Sequence, residues 1–171
     1  MKAFPRFLLF ASLFAALFAV APVLAQLGDE EEVAPKSDAR VRAALNEAGL
    51  KFEVDSDGDY RVILKYESSG RSQLVFINSD TEKFENMEIR EVWSIGAESK
   101  SGFTRPQLES LLKLNNGYKM GSWRLTSNGQ RAIFCVTASA RANAESLKAI
   151  ADLVARATDE LEREWLGTDD Y

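Results

Sequence analysis

The sequence predicts an α+β fold: an antiparallel sheet with helices packed on it, in the order α-β-β-β-β-α-β-β-α. Three observations predict it. Stretches of alternating apolar and polar residues are joined by tight-turn dipeptides, Asp57-Gly58 and Asn128-Gly129 above all. Three other stretches carry apolar residues at helical spacing. Each of those opens on a residue suited to capping a helix N-terminus.

The elements follow in order. Residues 1–25 read as an export signal. Lys2 and Arg6 give a positive start, Phe7 to Ala21 is free of charge, Pro22 breaks the run, and Val23-Leu24-Ala25 suits cleavage after Ala25. The competing reading is an uncleaved anchor through residues 7–27, since about 20 apolar residues span a bilayer. Alanine richness and Pro22 favour removal, so the expected location is the periplasm or the exterior, with no stable membrane anchor. Residues 26–36, with the run Asp29 to Glu32 and Pro35, read as an acidic flexible tether.

The folded domain is expected over residues 37–167, with a tail at 168–171. Ser37 or Asp38 starts a helix whose inner face is Val41, Ala44, Leu45 and Ala48, and Gly49-Leu50 closes it. Phe52 and Val54 alternate before the first turn, and Tyr60, Val62, Leu64 and Tyr66 alternate after it. Ser68-Ser69-Gly70 turns the chain into Ser72 to Ile77, which is apolar on both faces. Asn78 to Phe84 reads as polar loop. Met87 to Ile95 then places Met87, Ile89, Trp93 and Ile95 on one face, with Glu88, Arg90 and Ser94 opposite.

Thr104-Arg105-Pro106-Gln107 is a capping box with proline in the first turn, and Leu108, Leu111 and Leu112 follow as an apolar stripe. Strands are expected over Tyr118 to Thr126 and Arg131 to Ala138. The last helix runs from the cap Asn143 to Gly167. Leu147, Ile150, Ala151, Val154, Leu161 and Trp165 form its inner face, and Asp152–Arg156, Arg156–Glu160 and Asp159–Arg163 are spaced for pairing on its outer face.

Composition excludes several functions. The chain carries a net charge of −5; losing Lys2 and Arg6 leaves 19 basic residues against 26 acidic ones, a net −7. That balance disfavours nucleic acid and anionic lipid as partners. There is no histidine, which removes the commonest general base and zinc ligand. The lone Cys135 cannot form an intrachain disulfide, and its apolar strand setting suits an inert thiol.

Two short motifs resemble functional signatures. Asp55, Asp57 and Asp59 alternate like the opening of a calcium loop, but its sixth and twelfth positions would be Tyr60 and Tyr66, so a hairpin turn is preferred. Ser110-Leu111-Leu112-Lys113 matches S-x-x-K, yet no companion motif accompanies it and its leucines fit a helix. No catalytic residue, metal ligand or cofactor is therefore expected. For recognition, Phe103, Trp123 and Trp93 are the candidates. Phe103 sits in a loop where exposure is expected, whereas Trp93 and Trp165 lie on apolar stripes that suit a core.

Leu111-Leu112-Lys113-Leu114-Asn115-Asn116-Gly117, then Trp123-Arg124-Leu125 and the hairpin into Arg131-Ala132-Ile133-Phe134, resemble the YbjN-type domain. The element order is similar to that of class I type III secretion chaperones, whose fold that domain is thought to share. The resemblance covers roughly residues 38–166. It implies a non-enzymatic, protein-binding or sensory-regulatory role, and it brings no catalytic residues. The chaperones act in the cytoplasm, whereas this chain carries an export signal. The expected function is thus an exported protein-binding or regulatory module that pairs with another protein or with itself. The alternative is a carrier of a small apolar envelope ligand held between sheet and helices.

Overall fold

In a computed structural model the described residues are 37–171; the leader (1–25) and the tether (26–36) expected from the sequence lie outside them. The described chain forms three helices, α1 (Ala39–Glu47), α2 (Arg105–Leu114) and α3 (Ala144–Trp165). Its strands are β1 (Phe52–Val54), β2 (Tyr60–Tyr66), β3 (Arg71–Ile77), β4 (Glu82–Phe84), β5 (Met87–Glu98), β6 (Ser122–Leu125) and β7 (Arg131–Ser139). Every pairing is antiparallel, in the order β1-β2-β3-β5-β7-β6, with β4 pairing β5 off that path. The fold is α+β in the expected order, with β4 as one short addition. Among the described residues no helix is long and apolar enough to cross a membrane.

Local chemistry sets the boundaries. Asp38 Oδ1 accepts from the Arg40 N–H at 2.8 Å, and Asn143 Oδ1 accepts from Ser146 N–H at 2.9 Å, so both helices start on side-chain caps. Thr104 N–H donates to Gln107 Oε1 at 2.9 Å, one half of the capping box. Gly49 takes φ +68° and Leu50 N–H returns to Leu45 C=O at 3.0 Å, closing α1 as its Gly-Leu ending requires.

Helix α3 lies along β3, β5 and β7 and buries Leu147, Ile150, Ala151, Val154 and Leu161. Facing them are Val75, Val92, Phe134 and Val136, all shielded from water. Each fully buried side chain of this size is worth about 1.5–3 kcal/mol relative to exposure. This core lies between helices and sheet, where the carrier reading would put a ligand.

Four expectations are corrected. The stretch Asn78–Phe84 is not all loop: its end forms β4, which returns on β5 through a tight turn with Glu85 at φ +52°. The strand expected from Tyr118 starts only at Ser122, because Gly121 at φ +80° packs against Val136 and Phe134 where a Cβ would lie 2.7 and 2.8 Å away. Asp159 pairs across the fold with Arg71 at 2.5 Å instead of with Arg163, while Lys148–Asp152 at 3.2 Å is the salt bridge that runs along α3.

The last correction concerns β5. Its apolar residues share a face as expected, but that face points away from the helices. Toward them project Arg90, Val92 and Ser94, all buried.

Candidate functional site

The open face of the sheet is set by strand parity. Side chains alternate along a strand, so residues opposite one another across a ladder share a face. Ile63 faces Leu74, Phe76 faces Trp93, Trp93 faces Cys135, and Ile95 faces Ile133. The intervening residues Val62, Val75, Val92, Val136 and Phe134 point into the core under α3. An apolar band therefore crosses β2, β3, β5 and β7 on the side the helices leave uncovered.

Phe76 and Trp93 stack with ring centroids 4.3 Å apart and planes 13° from parallel. Trp93 Nε1 donates to Asn78 Oδ1 at 2.9 Å, which fixes the indole against the sheet. Ile63, toward the outer edge, is 59% exposed. Polar pairs bound the band. Arg124 reaches Glu91 at 2.5 Å, and Arg131 reaches Glu98 at 3.4 Å. At the β1–β2 side a hollow of about 280 Å³ is lined by Lys51, Glu53, Arg61, Ile63, Lys65 and Leu74.

The three sequence candidates separate. Trp93 lies on the open face, half-buried. Trp123 is 5% exposed and turns inward, edge-on to Phe134 at 5.4 Å, into space that Gly96 leaves by lacking a Cβ. Phe103 is half-buried and packs toward Trp165 at 6.0 Å, so the loop does not present it outward. The structure does not bring these three together. The band residues Leu74, Phe76, Ile95 and Ile133 were not singled out in advance. Their signal was present: β3 and β7 are apolar on both faces, which three helices on one side cannot cover.

Other chemistry-bearing groups are engaged in the fold. Arg90, with its side chain 1% exposed, donates to Asp38 Oδ2 at 2.5 Å and to Asn78 C=O at 2.7 Å. Arg40 forks onto Glu88 with two bonds of 2.8 Å. Burial alone would raise the Asp38 carboxyl, but the bonds from Arg40 and Arg90 hold it far below the usual carboxylate range. Arg40 and then Thr81 hold Glu88 at about 2.

At the other end of the sheet, the buried Glu162 accepts from Asp170 N–H at 2.5 Å and from the Thr168 hydroxyl at 3.3 Å. Arg71 donates to Thr168 C=O, so the tail at 168–171 is tied down. Burial pushes the Glu162 carboxyl up, against those bonds and Arg71.

The acidic turn is built as a hairpin. Asp55 Oδ1 accepts from Asp57 and Asp59 N–H, each at 3.0 Å, and Asp59 Oδ1 accepts from Ser79 N–H at 2.6 Å. Among the described residues no group of three acidic or thiol side chains is placed to hold a metal ion. Burial pushes the Cys135 thiol up to about 12, with Glu91 adding to the effect, so the thiolate is disfavoured.

Asn115 has a structural task. Its side-chain amide accepts from Trp123 N–H at 2.6 Å and donates to Trp123 C=O at 3.4 Å. It thereby takes the place of a further strand on the outer edge of β6. Leu111, Asn115 and Trp123, which carry the sequence resemblance, are thus held together at one corner of the fold. In comparisons with known proteins, no family model matches this chain and no curated protein matches it.

Proposed function

We propose that the chain is an exported, non-catalytic protein-binding or regulatory module of YbjN type, released after Ala25, which pairs through the open face of its sheet with a second copy or with another protein. The observation that carries this reading is the band of Ile63, Leu74, Phe76, Trp93, Ile95 and Ile133 on the helix-free face. Monomeric proteins seldom leave a contiguous apolar patch of this kind uncovered without a use for it. Trp93 and Phe76 are the aromatic types that anchor interfaces, and the polar rim of Arg124–Glu91 and Arg131–Glu98 suits a patch that is dry at its centre and wet at its border.

The space between sheet and helices is filled by Val92, Phe134, Val154 and Leu161, which lends the carrier alternative no support. Analytical ultracentrifugation of the full chain tests self-pairing. A dimer at micromolar concentration that dissociates in Ile95→Glu, with the unfolding midpoint nearly unchanged, is the expected result. A strict monomer that also captures no partner through this face would count against the proposal.

A further inference from the structure

The open face carries its unpaired charges in two separate places. On β1 and β2, Lys51, Arg61 and Lys65 stand around Ile63, and Glu53 is the only carboxylate lining that hollow. Arg61 Nε is shielded from water without an acceptor. On the β4–β5 side, Asp80 and Glu82 line a second hollow, of about 150 Å³, together with Ile89 and Glu91. Arg90, the cation lining it, is taken by Asp38 and Asn78 C=O, and Glu91 is taken by Arg124. Among the described residues, Lys51, Arg61, Lys65, Asp80 and Glu82 make no salt bridge.

Ladder register orders these groups on one face. Arg61, Ile63 and Lys65 lie opposite Phe76, Leu74 and Ser72 in turn. Asp80 and Glu82 follow Phe76 along the chain in the other direction, and Glu82 lies opposite Ile89. The stacked rings of Phe76 and Trp93 therefore stand between a cationic end and an anionic end.

This arrangement selects the occupant. A uniformly acidic partner would suit the first end and be repelled by the second, and a basic partner the reverse. A second copy of the chain suits both. In a two-fold pair the same patch lies on both sides of the interface. An axis across the strands at Phe76 and Trp93 lays the cationic end of each copy over the anionic end of the other, with the four rings at the centre. The strands of the two sheets then run nearly aligned, as stacked sheets commonly do.

We propose that the occupant of the open face is a second copy of this chain, stacked face to face about that axis. Lys51, Arg61 and Lys65 of one copy meet Asp80 and Glu82 of the partner subunit, and the symmetry repeats the contact. This rests on the open-face reading above and deepens it by fixing the partner and the register.

Sedimentation velocity of the full chain tests it through charge exchange at Lys51, Lys65, Asp80 and Glu82, all exposed. Lys51→Glu with Lys65→Glu should raise the dimer dissociation constant by about tenfold or more, because like charges then face each other. Asp80→Lys with Glu82→Lys should do the same. An equal mixture of these two double variants should pair again, since both contacts are complementary in the mixed dimer. The chain with all four changes should pair with itself, and added salt should weaken the unmodified dimer. Intact dimers in both double variants would overturn the register, as would no recovery in the mixture or in the fourfold variant while their unfolding midpoints are unchanged. If Ile95→Glu dissociates a dimer that both double variants leave intact, this proposal falls and the open-face reading stands. A chain that is monomeric at every concentration overturns the second copy as occupant, and the open-face reading then depends on capture of another protein.

Discussion

The two faces of the sheet invert the usual expectation. Under the helices, the middle of the sheet is partly polar: Arg90, Ser94 and Gln73 are buried there. On the open side stand Trp93, Ile95, Phe76 and Leu74. The polar residues are tolerated inside because each makes side-chain bonds, although Gln73 Oε1 is left without a donor. Direct pairing between β3 and β5 is confined to Phe76–Trp93 and Ile77–Val92. Beyond it Gln73 Nε2 donates to Ile95 C=O at 2.9 Å and Ser94 Oγ to Leu74 C=O at 2.6 Å, so side chains stand in for ladder bonds. Which side of a strand is buried thus depends on where α3 lands, not on which side is more apolar.

The largest effect should come from breaking the polar interior. Arg90→Met leaves Asp38 with Arg40 alone as its cationic partner and strips Asn78 C=O of its donor. Such a loss costs about 3 kcal/mol, the low end for a broken buried pair because Arg40 stays in place, read as a lower urea midpoint. Arg90→Met combined with Asp38→Asn should lose less than Arg90→Met alone, since no carboxylate that has lost one of its two cations then remains half-enclosed. Equal losses would mean that Arg90 acts through packing and not through its charge.

Next in size is the closed edge. Asn115→Ala leaves Trp123 N–H without an acceptor, at a cost of about 1–3 kcal/mol by thermal or chemical unfolding. It also exposes the edge of β6, so aggregation should rise more than for Asn116→Ala, whose side chain makes no such bond. The comparison thereby extends to the two sheet edges, one blocked by a side-chain amide and the other covered at β2 by the short strand β1.

Much of this was legible in the sequence, for local reasons. Capping side chains, Gly49-Leu50, and the turns at Asp57-Gly58 and Asn128-Gly129 act within a few residues, so they can be read in order. The face of β5 could not be read that way. Met87, Ile89, Trp93 and Ile95 look like a core stripe, and only the position of α3, some 50 residues later, decides otherwise. Trp123 failed for a similar reason: its place in the core depends on Gly96, which sits in another strand. The bulge between Ile95 and Ala97 that lets β5 run on to Glu98 carried no sequence signal beyond that glycine.

A pH series probes the polar interior more gently. Asp38 and Glu88 hold their protons less tightly in the fold than an exposed carboxylate does. Between the ordinary value near 4.5 and about 2, the unfolded chain therefore binds more protons at Glu88 than the folded one. Stability contributed by that group is present above this window and is lost as pH falls through it. Glu88→Gln should flatten the urea midpoint over this range. The opposite case is Glu162, whose carboxyl is pushed up by burial, so its contribution is lost as pH rises. A midpoint that falls with acid equally in Glu88→Gln and in the unmodified protein would remove Glu88 from the account.

The smallest effect on stability, and the sharpest on association, should come from the open side. Ile63 is 59% exposed, and the backbone on either side of it, at Val62 and Leu64, is held by β3 whatever its side chain. Ile63→Asp should therefore shift the unfolding free energy by no more than about 0.5 kcal/mol. In a face-to-face interface the same change would bury a carboxylate against Leu74 and the partner's apolar side chains, at several times that cost. A dimer that survives Ile63→Asp would place the contact nearer Ile133, at the far end of the band. Dissociation without loss of stability would show that the apolar side of this sheet serves association, whereas its polar side serves the fold.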